Sequence, residues 1–278
     1  MEFQFLGTAA ATSVPLVFCN CELCQQARRK KGKDIRKRAS AIINNEMLID
    51  LGPDLCSQAE IYDIDLSKVK YLLQTHSHSD HFDGGHFITR WSEYATKNLT
   101  HLDIICSSGT CSDMNHWIKE NEPSFDIHDT SWKKDMNYLK SGDIKVVNDY
   151  EIIAVDSEHD KRVEALVYII GQNGKYMFYG TDLLNLSRKA WNIIQNYKLD
   201  LVVLDQTYGR GYNQGGHLDS GQVIQIINEM RDRKIINEKS YVYATHISHE
   251  GNDTHDNMEI TSNVNKYHIA YDGLKLEF

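Results

Sequence analysis

A chain of 278 residues with 41% hydrophobic side chains can bury a substantial core, which excludes a disordered tract. Its formal net charge of −9 argues against generic nucleic-acid affinity, which needs a positive field. It contains no run of 18 apolar residues, so no membrane span is expected.

Only three prolines and no Ser/Gly-rich linker are present, which points to one domain over residues 1–278. The start, "MEFQFLGTAA", reads as a first strand. Its acidic Glu2 and short apolar stretch do not fit a signal peptide, so a cytoplasmic protein is expected. There the six cysteines should be thiols or metal ligands. "FCNCELC" places Cys19, Cys21 and Cys24 within six positions, which packing explains poorly. A structural zinc with a fourth ligand is the better reading, with a redox role second. A helix is expected from Cys21 to Lys31. It runs into "RRKKGKDIRKR" (Arg28 to Arg38), which holds eight of the thirty basic residues. That stretch reads either as a solvated helix end and loop or as a patch that attracts a phosphate-bearing substrate.

Ser40 to Gly52 reads as a hairpin turning at Asn44–Asn45, and Pro53 to Tyr62 as a helix. The apolar run Val69 to Thr75 is a buried strand, and it leads directly into "HSHSDH", His76 to His81. In extended backbone His76 and His78 point the same way and can grip one ion. If the chain then turns into a helix, Asp80 and His81 project toward a second ion beside it. Imidazole and carboxylate suit zinc, manganese or iron. A polar loop whose histidines merely hydrogen-bond explains three histidines and an aspartate at this spacing poorly.

A further helix is expected over Gly85 to Lys97, and a strand over Leu102 to Cys106. Residues 107–144 match no motif and are expected to shape the substrate pocket. Strand-like runs follow at Ile144 to Val155, at Glu164 to Gly180 with a hairpin at Asn173–Gly174, at Asp200 to Asp205 and at Ser240 to Thr245. Helices are expected over Ser187 to Tyr197 and Ser220 to Arg233. "HIAYDGLKLEF" reads as a closing hairpin at Asp272–Gly273. Strands and helices interleave, yet many strands come as hairpins, which suits mixed sheets covered by helices. One loop cannot complete two metal sites. His159, Asp182 and His246 each lie just beyond an apolar strand-like run, where a strand end delivers a side chain to a common rim.

The order strand–HxHxDH…His…Asp…His resembles the metallo-β-lactamase superfamily of dinuclear hydrolases, from "FLGT" at Phe5–Thr8 through His249. The resemblance implies an α+β fold, a four-layer αββα sandwich. It implies that His76, His78 and His159 hold one metal, that Asp80, His81 and His246 hold the other, and that Asp182 bridges. Asp50, in "LIDLGPD", would brace the metal loop from behind. The cysteine cluster together with "THISH", Thr245 to His249, is similar to the PhnP-type phosphodiesterases. By that resemblance Cys19, Cys21, Cys24 and His249 bind a structural zinc. PqqB-like proteins carry a similar cysteine cluster, but their HxHxDH motif is degraded and here it is intact.

The expected function is cleavage of a small cyclic or nucleotide-like phosphodiester by metal-bound hydroxide, with zinc or manganese, or iron, in the active site. His217, in "NQGGHLDSGQ", is the candidate general acid, and Asp80 is counted with it as catalytic. Alternatives are an RNA-processing nuclease of the RNase Z type, a lactone or thioester hydrolase, and a PqqB-like non-hydrolytic role. Relatives of this type suggest a homodimer. His86, His101, His116, His128, His255 and His268 receive no role, nor do Cys56, Cys106 and Cys111.

Overall fold

The computed structural model describes residues 1–94, 96–212 and 215–278, with the side chains at 92 and 130 left out. Hydrophobic alternation organises it into two mixed sheets. The first contains β1 (Glu2–Gly7), β2 (Ser40–Ile43), β3 (Met47–Ile49), β4 (Tyr71–Leu73), β5 (Leu102–Cys106) and β6 (Lys134–Tyr138), side by side in that order. The second contains β7 (Ile144–Val147), β8 (Tyr150–Asp156), β9 (Leu166–Gln172), β10 (Lys175–Gly180), β11 (Leu201–Asp205), β12 (Tyr241–Thr245) and β13 (His268–Ile269). The last strand, β14 (Lys275–Glu277), crosses back and pairs antiparallel with β1.

Period-two alternation makes the two sheets the middle of a sandwich. Ile152 and Ala154 of β8, Tyr168 and Ile170 of β9, and Tyr71 and Leu73 of β4 meet Phe3 and Phe5 in the layer between the sheets. Their neighbours Ile153, Val155, Val167 and Ile169 face the other way, and Leu72 does the same on the first sheet. Helices cover both outer faces. α1 is Glu22–Lys30, α2 Leu55–Ile61, α3 Gly84–Ile88, α4 Ser108–Asn121, α5 Arg188–Ile194, α6 Ser220–Asp232 and α7 His255–Val264. Leu55 of α2, Phe87 of α3 and Met114 of α4 pack on the first sheet. Ala190 of α5, Ile227 of α6 and Met258 of α7 pack on the second. The order helix–sheet–sheet–helix is the αββα sandwich that the sequence led one to expect. No helix among the described residues is long and apolar enough to cross a membrane.

Several local expectations need correction. The turns at Asn44–Asn45 and Asn173–Gly174 form as expected, with all four residues at positive φ. The closing hairpin does not form: β13 pairs in parallel with β12, and β14 joins the other sheet. Asp272 is turned inward instead, accepting from Thr8 Oγ1 at 2.7 Å and from the Lys37 N–H at 2.6 Å. The run Ile144 to Val155 is broken at Asn148 (φ 51°) into the β7–β8 hairpin. The helix expected over Gly85 to Lys97 stops at Ile88; its expected span includes residue 95, which lies outside the described residues. Residues 107–144 form α4 and β6, and none of them lines the pocket described below.

The basic stretch is largely tied into the fold. Arg28 donates to the carbonyls of Cys19 and Leu16, and Arg38 pairs with Asp54 at 2.9 Å. Arg36 is buried against Thr8, Ala270 and His255. None of its residues lines the pocket over the candidate metal centre, so the stretch is not placed to attract a phosphate-bearing substrate there.

Candidate metal centre

Strand ends at one edge of the sandwich deliver the site. β4 is followed by the loop carrying His76, His78, Asp80 and His81. His159 follows β8, Asp182 follows β10 and His246 follows β12. Three residues here adopt left-handed backbone without being glycine: Asp50 (φ 64°), Asp182 (φ 54°) and His246 (φ 60°). Such conformations cost roughly 1–3 kcal/mol each and persist where the surroundings impose them.

The imidazoles are held from outside and open toward a shared space. His81 Nδ1 donates to Asp50 Oδ2 at 2.6 Å. His76 Nδ1 donates to Thr75 Oγ1 at 2.9 Å, and that hydroxyl donates to Asp50 at 2.9 Å. The second sheet repeats the device. His246 Nδ1 donates to Thr207 Oγ1 at 2.8 Å, and Thr207 Oγ1 donates to Asp205 Oδ1 at 2.8 Å. His217 Nδ1 donates to Asp205 Oδ2 at 2.8 Å, as His81 does to Asp50. His159 Nδ1 donates to the Gly216 carbonyl at 2.6 Å. His78 differs: its Nε2 faces Asp160 at 3.5 Å and its Nδ1 points inward. These outer partners fix the tautomers and so decide which nitrogen faces the centre.

The inner atoms form two groups. His78 Nδ1 lies 3.3 Å from His159 Nε2. His81 Nε2 lies 3.4 Å from His246 Nε2, and Asp80 Oδ2 stands 3.3 and 3.5 Å from that pair. Asp182 faces both groups. Its Oδ1 is 3.4 Å from His159 Nε2 and 3.9 Å from His76 Nε2. Its Oδ2 is 2.9 Å from His81 Nε2 and 3.2 Å from His246 Nε2.

A cation fits each group on three grounds. At a metal–nitrogen distance of about 2.0–2.1 Å, tetrahedral neighbours stand about 3.3–3.4 Å apart, which is the spacing of the imidazole pairs. His76 Nε2 is buried with no hydrogen-bond partner, a deficit worth about 1–3 kcal/mol that a cation would remove. The protonation states also suit ligation. Burial, together with the His81 charge, holds His76 well below the ordinary imidazole range. His81 is pushed the other way: burial disfavours its cation, but Asp182, Asp80 and Asp50 together raise it well above that range. A metal ion would displace that proton and take its place among the carboxylates.

The cysteine cluster is built to the same rule. Cys21 caps α1, Cys24 lies in its first turn, and His249 follows β12. His249 Nδ1 stands 3.4, 3.5 and 3.6 Å from the sulfurs of Cys19, Cys21 and Cys24. For zinc, with bonds of about 2.3 Å to sulfur and 2.0–2.1 Å to nitrogen, the tetrahedral sulfur–nitrogen edge is about 3.5 Å. Burial opposes ionisation of Cys21, yet the Cys24 backbone N–H and His249 bring its thiol down to about 6. Zinc here would tie α1 to the loop that carries His246. Cys24→Ser is expected to lower the unfolding temperature by about 5–10 °C, corresponding to a loss of about 2–3 kcal/mol, with one ion fewer per chain. Differential scanning calorimetry with elemental analysis checks this; normal melting would leave the cluster without a structural role.

The structure brings every expected ligand into one of these two constellations, and Asp50 lies behind them, accepting from His81 Nδ1. His217 sits beside the centre, its ring stacked on His246 at 5.1 Å between centroids. Asp205 and Thr207 were missed, although Asp205 ends a strand just as the residues that led to Asp182 do. Thr75 and Asp160 were missed as well. Asp205 could be taken for a metal ligand, since it clusters with Asp182, His217 and His246. Its oxygens already accept from Thr207 N, Thr207 Oγ1, Leu183 N and His217, so it orients other groups.

A family model described as a beta-lactamase superfamily domain matches residues 45–247. The chain belongs to that superfamily. The fold also matches a diphosphatase of the PhnP family at 21% identity and TM-score 0.78, covering 100% of this chain and 97% of the other. It matches Zn(2+)-bound PqqB from Methylobacterium extorquens at 15% identity and TM-score 0.76, covering 100% of both. Human tRNase Z, short form, is similar at 14% identity and TM-score 0.66, covering 100% and 99%. No curated protein gives a significant sequence match.

Proposed function

We propose that this protein is a dinuclear metal-dependent hydrolase that cleaves a small phosphodiester of the cyclic or nucleotide-like kind. The observation that carries the reading is Asp182, one oxygen turned to each of two imidazole groups whose outer nitrogens are already engaged. His76, His78 and His159 would hold one ion, and Asp80, His81 and His246 the other. Zinc and manganese both suit this donor set, as does iron. Divalent ions held there would supply hydroxide at neutral pH and an electrophile for phosphoryl oxygen.

The chain's own residues favour an anionic substrate once the ions are seated. The pocket over the centre has a volume of about 460 Å³, which suits a small ligand rather than a polymer. Asp80, Asp160, Asp182 and Glu250 line it, with Arg162 as its one Lys or Arg. Arg162 is committed to Asp160 at 2.6 Å. Without cations this wall repels an anion. With two divalent ions and one hydroxide against Asp80 and Asp182 the formal sum at the centre would be about +1, which matches a phosphodiester monoanion.

His217 spends Nδ1 on Asp205 and retains Nε2 for the pocket it lines, where it gives the departing alkoxide its proton. Burial disfavours its cation, but the Asp205 carboxylate outweighs burial and raises it to about 9. Ions nearby would lower that value. Thr12 also lines the pocket, and its buried hydroxyl has no partner, so it can meet a substrate oxygen.

The same reading keeps the expectation of one cytoplasmic domain and a homodimer. A substrate panel tests it: bis(p-nitrophenyl) phosphate, 2′,3′-cyclic nucleotides, a ribosyl 1,2-cyclic phosphate, a tRNA precursor and a lactone. Small diesters are expected to turn over, with activity lost on chelation and restored by zinc or manganese. Faster turnover of the lactone or the tRNA precursor would overturn it.

A further inference from the structure

A second cavity, apart from the metal centre, lies between the first sheet and the helices that cover it. Its volume is about 230 Å³, and its walls are mostly aliphatic, with Leu55 of α2, Leu72 of β4 and Phe87 of α3 among them. Walls of this kind favour the apolar part of a ligand over water. Its lining also includes one full charge, the guanidinium of Arg90.

Arg90 has donors to spare and no counter-charge. Its Nη2 donates to the carbonyls of Thr100 at 2.8 Å and Trp132 at 3.2 Å. Its Nε is buried and has no partner. Burial lowers the group with no opposing carboxylate among the described residues. A partly buried cation without a counter-charge is costly, and the usual remedies are a carboxylate or water. The described residues supply no carboxylate here. An apolar cavity with one uncompensated guanidinium in its wall is complementary to a ligand with an aliphatic body and one anionic end.

We infer that this cavity is a binding site for a medium-chain aliphatic carboxylate, its chain lying among the leucines and its carboxylate accepting from Arg90. The size sets the chain length. A 150 Å³ cavity holds benzene, or about 25 Å³ per carbon, so about 230 Å³ holds on the order of nine heavy atoms. An acid of about seven to eight carbons, about nine to ten heavy atoms with its two oxygens, is the best match. Nothing in this inference depends on the metal centre or on the reaction proposed there.

Isothermal titration of the metal-loaded protein with butyrate, octanoate and octan-1-ol tests it. Octanoate is expected to bind about 10- to 100-fold more tightly than butyrate, because four more methylenes are buried. It is expected to bind about 10-fold more tightly than octan-1-ol, which has the chain but no charge for Arg90. Leu66→Trp fills the cavity from a partly exposed wall position and leaves Arg90 in place. It is expected to weaken octanoate by about 10-fold or more. Equal affinity for octanoate and butyrate would place the carboxylate elsewhere, for example on the metal ions, and overturn the inference. Equal affinity for octanoate and octan-1-ol, or no binding at all, would overturn it too. The wild-type series decides the matter even if the tryptophan variant does not fold.

Discussion

Asp182→Ala is expected to abolish activity, by roughly 10³-fold or more, and to release metal from the active centre. The carboxylate contributes one oxygen to each group of imidazoles, so its loss removes a ligand from both positions at once. Its charge matters as much as its atoms. Burial opposes the ionised form of Asp182, but His246 and His81 hold it well below the ordinary carboxylate range. Without it, two ions would face five imidazoles with only Asp80 to offset their charge. Mutual repulsion between the ions would then expel at least one. Elemental analysis after gel filtration, beside wild type, checks the prediction. Unchanged metal content would remove Asp182 from the ligand set.

His217→Ala is expected to keep the metals and lose turnover, by about 10²–10⁴-fold on a substrate with an alkoxide leaving group. The size of the loss should depend on that group. A p-nitrophenolate departs readily without a proton, so bis(p-nitrophenyl) phosphate should be hydrolysed nearly as fast by the variant. An alkyl or ribosyl diester should not. A purely structural role for His217 would slow both substrates alike. Steady-state kinetics on the two substrate types, with metal content measured in parallel, separates these outcomes. Full activity on the alkyl diester would end the general-acid assignment.

The residues that gather at the candidate metal centre were legible because metal chemistry leaves a local trace. His76, His78, Asp80 and His81 fall within six residues, and His159, Asp182 and His246 each follow an apolar strand. The second row of contacts was less so. Asp50 came from the family pattern, but Asp205 with Thr207 performs the same task on the opposite sheet and carries no motif. Only the folded pair shows the repetition. Mixed sheets covered by helices were readable from the interleaving of strands, hairpins and helices, while the four-layer order came from the family resemblance. The path of β14 was not readable. An Asp–Gly turn predicts that a chain reverses, not which sheet the returning strand joins. The carboxylate of Asp272, spent on Thr8 and Lys37, helps fix that choice, and those partners lie over two hundred residues away. α4 and α7 went unseen because their buried faces are made of residues such as Thr110, Cys111 and Ser262 rather than a leucine stripe.

The most direct measurement is the metal content of three proteins side by side: wild type, Cys24→Ser and Asp182→Ala. The cysteine cluster and the two imidazole groups that Asp182 faces predict three ions per chain in wild type. Cys24→Ser should then retain two and the proposed phosphodiesterase activity, while Asp182→Ala should lose at least one and that activity with it. A wild type that hydrolyses diesters with a single ion at its histidine centre would contradict the account.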